Sequence, residues 1–159
     1  MRVWLASKSA RRADMLAQIF PNLTCHGIES VDESSTSSVV SGQVLEICQK
    51  KAAAVILEND YELIVVSDTM IQDPDVDVQA MGKANDAIEA AAMLHRLAGR
   101  RHRVWTATGI WYNSKWEFHL NEAIVEVDAL SDEALVELIL SDSWVGKAGS
   151  YDLAGEMSQ

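Results

Sequence analysis

Apolar positions along the chain switch between two periods, and the switches mark its elements. Val3, Trp4, Leu5 and Ala6 form a short continuous run that predicts a buried strand. Ala13, Met15, Leu16, Ile19 and Phe20 then fall on one helical face, which Pro21 ends. Val44, Leu45, Cys48, Ala52, Val55 and Ile56 recur at helical spacing, and Leu63 to Val66 reads as a second buried strand. Asn85 is placed to cap a helix over 86–98, with Asp86 at its first position and Gly99 just past its end. Val104 to Tyr112 and Trp116 to Val127 are rich in aromatic and β-branched residues, and Asn113-Ser114 between them predicts a hairpin. Ser131 caps a last helix carrying Leu135, Leu138 and Ile139. The Ser-rich segment 29–42 is expected to be a loop or mobile flap, and 73–80, with Pro74 and three aspartates, an exposed loop or edge. The polar segment from Gly146 onward offers no further core element, and no internal repeat is present. The pattern is α/β with a mixed sheet.

With 159 residues the chain is expected to form one domain, residues 1–159. Hydrophobic residues at 48% and charged residues at 23% match a globular chain rather than a disordered one. Thirteen Lys and Arg against 24 Asp and Glu give a formal charge of −11, a field that repels nucleic-acid polymers and anionic membranes. Phosphate binding, if any, must be local. Cys25 and Cys48 make neither a disulfide framework nor a zinc pattern and read as buried small hydrophobes. The opening apolar run is too short for a secretory signal and no run spans a membrane, so a cytoplasmic location is expected.

Two segments offer chemistry. Ser7-Lys8-Ser9-Ala10-Arg11-Arg12 sits where a strand turns into a helix N-terminus, whose free N–H groups and dipole attract anions. Cations in a first turn oppose that dipole, so the arginine pair points to an anionic partner; a solvated turn capped by Ser9 is the alternative. Asp68-Thr69 follows the second strand, where a carboxylate is placed to bind Mg²⁺ or act as a base, or else simply to close a turn. Lys50, Lys51, Lys83, Arg100, Arg101, His102, Arg103 and Lys147 all lie near element ends, where several converging would neutralise a triphosphate and each alone is a solvated side chain. His102 is either a ligand or base or, as a lone histidine usually is, structural. A Walker loop, a dinucleotide fingerprint and a nucleophile elbow are all missing from the sequence. Hydrolysis without a covalent nucleophile is left standing.

In order, Leu5-Ala6-Ser7-x-Ser9-x-Arg11-Arg12, Glu33, Lys51-Ala52, Ser67-Asp68-Thr69, Gly82-Lys83, Gly99-Arg100-x-His102-x-Val104-x-Thr106 and Lys147-Ala148-Gly149-Ser150-Tyr151 resemble the Maf family of nucleoside triphosphate pyrophosphatases, first named for septum formation. The resemblance implies an elongated mixed sheet flanked by helices, with two lobes around a cleft, as in inosine triphosphatases. It implies a homodimer that hydrolyses a nucleoside triphosphate to its monophosphate and pyrophosphate with a divalent metal, Mg²⁺ or Mn²⁺. By correspondence, Asp68 is the catalytic carboxylate and a metal ligand, and Glu33 a second metal contact. Ser7, Arg11, Arg12, Lys51, Thr69, Lys83 and Lys147 stand where the family binds substrate. The Arg11-Arg12 pair is similar to the branch acting on dTTP and UTP. The chain departs from the pattern at Ala10, where the family has Pro, at Gly146, where it has Asp, and at Ala154, where the pyrimidine branch has Gln. It also stops where family members continue through another element. A non-catalytic nucleotide-binding or division-associated protein, and a phosphohydrolase of another kind, are the alternatives.

Overall fold

The computed structural model describes residues 1–57 and 60–152. In chain order the elements are β1 (Val3–Leu5), α1 (Ala10–Ala17), β2 (Leu23–Cys25), α2 (Val40–Ala53), β3 (Leu63–Gln72), β4 (Ala80–Met81), α3 (Ala87–Leu97), β5 (Arg100–Tyr112), β6 (Lys115–Val127) and α4 (Asp132–Leu140). The fold is α/β. The strands order as β2-β1-β3-β5-β6, with β4 paired to β3. β1 is parallel to both β2 and β3, in register Leu5 to Cys25 and Leu5 to Val65, whereas β4 returns antiparallel on β3 with Met81 opposite Ile71. The sheet is therefore mixed, as its sequence pattern predicts.

The described chain divides into two compact units, Met1–Thr69 with Thr106–Asn121, and Met70–Trp105 with Glu122 to the C-terminal segment. In the first, Val3, Leu5, Ile64 and Val66 of the sheet are buried together with Val44, Ile47 and Cys48 of α2. In the second, Ile71, Met81, Leu94, Leu97, Val127 and Tyr151 form the core, with Leu135, Leu138 and Ile139 of α4 packed against it. Burying several such side chains supplies the main stabilisation of each unit, about 1.5–3 kcal/mol for each large one.

Local chemistry explains the boundaries. Asn113 and Ser114 both have positive φ, 49° and 64°, the backbone a two-residue hairpin turn demands. Gly99 follows the C-cap of α3 at φ 69°, where a left-handed residue closes the helix. The cap of α3 is Asp86 rather than Asn85: Asp86 accepts from the Glu89 N–H at 2.8 Å, and Glu89 in turn accepts from the Asn85 backbone and side chain at 2.9 Å. Ser131 caps α4 as expected, accepting from the Ala134 N–H.

Other expectations are corrected. β3 runs ten residues, through Ser67, Asp68 and Thr69 to Gln72, because no breaker precedes Asp73-Pro74. β2 is only three residues long, too short for the sequence pattern to mark, and Cys25 at its end is exposed rather than buried. The predicted inner face of α1 is largely solvated, with Met15 and Ile19 exposed at 61% and 68%. Asp73 is buried, not part of an exposed loop; its carboxylate takes the Asp75 and Val76 N–H groups and Arg96. Residues 29–42 are largely without regular structure, but Val40 to Gly42 already belong to α2. The loop is tied to that helix, since Ser35 and Thr36 donate to Glu46, and Lys50 donates to Asp32 and Ser34. Ser150 and Tyr151 are buried, so the glycine-containing segment does enter a core. Ala154 lies outside the described residues.

Candidate active site

The turn after β1 is built by its own hydroxyls. Ser7 Oγ accepts from the Ser9 N–H at 3.1 Å, and Ser9 Oγ caps α1 by accepting from the Arg12 N–H at 3.4 Å. This places Arg11, exposed, and Arg12, half-buried, on the first turn of the helix. The Arg12 guanidinium turns inward onto β3. Its Nη1 donates to the Ser67 carbonyl at 3.1 Å and to Ser7 Oγ at 3.4 Å, and its Nη2 donates to Thr69 Oγ1 at 3.0 Å. Thr69 Oγ1 lies 3.2 Å from Thr106 Oγ1 on β5. Burial draws the Arg12 pKa down from its usual value, against the opposing pull of Asp68. Arg12 thus brackets the residues on either side of Asp68.

Asp68 sits three residues beyond Val65, the last β3 residue paired with β1, so the carboxylate emerges past the carboxyl end of the shorter neighbouring strand. This satisfies the positional rule for ligand sites in α/β sheets, although by the shortness of β1 rather than by the ending of β3. Lys51, in the last turn of α2 where a cation suits the helix dipole, places Nζ 2.7 Å from Asp68 Oδ1 and 3.0 Å from Glu33 Oε1. Asp68 and Lys51 side chains are each only 16% exposed, while Glu33 is solvated. Burial disfavours the Lys51 charge, but the hydrogen bond and charge of Asp68, and then those of Glu33, leave its pKa above the ordinary lysine value. Burial also pushes the Cys48 thiol up to about 11, which removes it as a nucleophile.

Two hard carboxylates facing one cation position are the donor set Mg²⁺ accepts when substrate phosphates complete its shell. Among the described residues no group of three or more His, Cys, Asp or Glu is arranged to hold a metal unaided. Asp68 and Glu33 therefore fit a metal shared with a ligand.

In the second unit, Lys83 and Ala148 form an antiparallel bridge, and the Gly149 N–H donates to the Gly82 carbonyl at 3.0 Å. Lys83 is exposed; Lys147 Nζ donates to the Ser143 carbonyl at 2.8 Å and lies 3.0 Å from Asp152. Gly146 and Gly149 adopt φ of 71° and 65°, and a Cβ on Gly149 would meet Ile71 at 2.7 Å. The segment is anchored by His102, 3% exposed, whose Nε2 lies 2.8 Å from Tyr151 Oη. His102 is thus a structural side chain, and burial lowers its pKa. The remaining predicted cations each meet a carboxylate of the protein. Lys50 pairs with Asp32, Arg100 with Asp75, Arg101 with Glu126 and Arg103 with Glu122. Thr106 and Tyr151 stand within sequence motifs, but their partners, Thr69 and His102, lie on other elements, so sequence alone gives them no role.

The sequence matches the family described as "Maf-like protein" over residues 2–159. The chain belongs to the Maf-like family. This Maf-like protein is 32% identical over 154 residues to a protein of Pyrococcus abyssi named dTTP/UTP pyrophosphatase, covering 97% of this chain and 80% of that one. Proteins with the same name from Bacillus velezensis and Roseobacter denitrificans are 30% and 34% identical, covering 98% and 95% of this chain and 80% and 79% of theirs. Among solved structures, the Staphylococcus aureus Ham1 protein aligns with a TM-score of 0.49 and 15% identity, over 79% of this chain and 70% of that one. No helix among the described residues is long and apolar enough to cross a membrane.

Proposed function

We propose that this Maf-like protein hydrolyses a pyrimidine nucleoside triphosphate of the dTTP or UTP type, or a modified nucleotide, to the monophosphate and pyrophosphate. The observation that carries the reading is the half-buried Asp68 carboxylate, set beyond the end of β1 and held by Lys51. The names of the relatives support the reaction class.

We assign the Asp68 carboxylate, held by Lys51 in the ligand-free chain, to orient the attacking water and take its proton. Arg12 holds both neighbours of Asp68 in β3 and so fixes the direction of the carboxylate. A divalent cation, Mg²⁺ or Mn²⁺, would be held by Asp68 and Glu33 and would neutralise charge on the phosphate oxygens when bound. Ser7, Arg11, Arg12, Lys51 and Thr69 are assigned to the substrate, with Lys83 and Lys147 as further phosphate-binding cations by family correspondence. The protein is expected to act in the cytoplasm as a homodimer.

The test is a screen of dTTP, UTP, CTP, GTP and ITP with Mg²⁺, measuring pyrophosphate and orthophosphate separately, with Asp68→Asn in parallel. Pyrophosphate release reduced at least ~100-fold in the variant is expected, the scale of a lost general base. Orthophosphate release would instead mark another phosphohydrolase, and nucleotide binding without turnover a non-catalytic binder.

A further inference from the structure

Lys51 occupies the position a cation would take between Asp68 and Glu33. Its Nζ is within hydrogen-bonding distance of an oxygen of each, 2.7 Å and 3.0 Å, and it is carried there by a third element, the last turn of α2. Mg²⁺ holds carboxylate oxygens at about 2.0–2.1 Å, so a metal bridging these two oxygens would overlap the ammonium and repel it at contact range. The two cations cannot share these two oxygens, and a metal at the other oxygens of the same carboxylates would still face the ammonium's charge at short range. Yet a lysine with only 16% of its side chain exposed cannot lose its carboxylate partners without cost, because an unpaired charge so little hydrated needs another anion.

We propose that Lys51 is an internal counter-ion which keeps divalent metal off Asp68 and Glu33 until a nucleotide polyphosphate arrives to receive the displaced ammonium. The inference rests on the pyrophosphatase reading and adds an order of events to it. Metal alone binds weakly; metal and nucleotide bind cooperatively, and linkage makes the enhancement equal in both directions. The free enzyme thereby protects its catalytic carboxylate from metal that carries no substrate.

The test is Mn²⁺ binding to purified protein, followed by electron paramagnetic resonance of free Mn²⁺, with and without an α,β-imido dUTP analogue. In wild-type protein the analogue should tighten Mn²⁺ at least about tenfold beyond the chelation by the analogue alone, measured without protein. Lys51→Gln, which removes the internal cation but keeps a polar side chain, should bind Mn²⁺ alone at least about tenfold tighter than wild type and lose most of the nucleotide enhancement. Lys51→Arg, which keeps the charge, should bind Mn²⁺ alone as weakly as wild type. Circular dichroism establishes that each variant is folded, and an unfolded Lys51→Gln would leave the wild-type enhancement and Lys51→Arg to decide. Mn²⁺ affinity unchanged or weakened in a folded Lys51→Gln, or no nucleotide enhancement in wild type, would overturn the proposal. Hydrolysis of dTTP and UTP is measured on the same wild-type sample: turnover without metal–nucleotide coupling defeats only this inference, whereas absent turnover defeats the functional reading beneath it.

Discussion

Arg12→Lys separates two roles that a charge count alone merges. If Arg12 serves only as a positive charge for phosphate, lysine keeps that charge. The structure instead gives the guanidinium a fork, with Nη1 on the Ser67 carbonyl at 3.1 Å and Nη2 on Thr69 Oγ1 at 3.0 Å. A lysine nitrogen is a single point and replaces one arm at best. A hydrogen bond from a charged donor contributes roughly 1.5–3 kcal/mol, so losing one arm costs about 2 kcal/mol. For a chain of this size that lowers Tm by about 4–8 °C, at roughly 2–4 °C per kcal/mol. Because Ser67 and Thr69 flank Asp68, the loss should also fall on kcat more than on KM. The assays are thermal unfolding by circular dichroism and steady-state pyrophosphate release. A variant within about 1 °C of wild type, with only KM raised, would refute the bracket and leave Arg12 its substrate role alone.

Tyr151→Phe leaves the buried His102 ring without its Nε2 partner and should cost about 1–3 kcal/mol in denaturant unfolding, whereas adding His102→Leu to it should recover part of that loss, since no buried polar group is then orphaned. His102 also predicts a pH dependence. Its folded pKa lies below the ordinary 6.5, so as pH falls through 6.5 the unfolded chain takes up the proton first, and stability declines toward the lower folded value before levelling off. Urea unfolding between pH 7.5 and 5 should show this slope in wild type and a shallower one in His102→Leu. Gly149→Ala combines a positive φ with a Cβ 2.7 Å from Ile71, and should lower stability by about 2–4 kcal/mol, read by chemical denaturation.

Legibility in the sequence followed the range of the interaction concerned. Capping by Ser9 and Ser131, the left-handed Gly99 and the Asn113-Ser114 turn are local events, decided by residues within a few positions; periodicity placed α2, cap residues placed α3, and β-favouring composition with the turn placed the β5–β6 hairpin. Local pattern failed where partners were distant. It ended a strand at Val66 that continues to Gln72, because Ser67, Asp68 and Thr69 look polar until the sheet and Arg12 satisfy them. It left Asp73 exposed, although its carboxylate is buried against backbone N–H groups and Arg96. It drew the apolar positions of α1 inward, although Met15 and Ile19 face solvent.

The same division runs through the site. Composition, charge and the order of the motifs determined that phosphate chemistry had to be local, that no Walker loop performs it, and that Asp68 and the Ser7 to Arg12 turn were the places to look. Tertiary structure alone decided that Lys51 reaches Asp68 across 17 residues and Glu33 across 18, that Arg12 spends its fork on the protein, and that Tyr151 reaches back 49 residues to His102. The physical reason is that a side chain's type and its distance from an element end are written in the sequence. The partner it meets depends on which strands lie side by side, and only the packed sheet determines that.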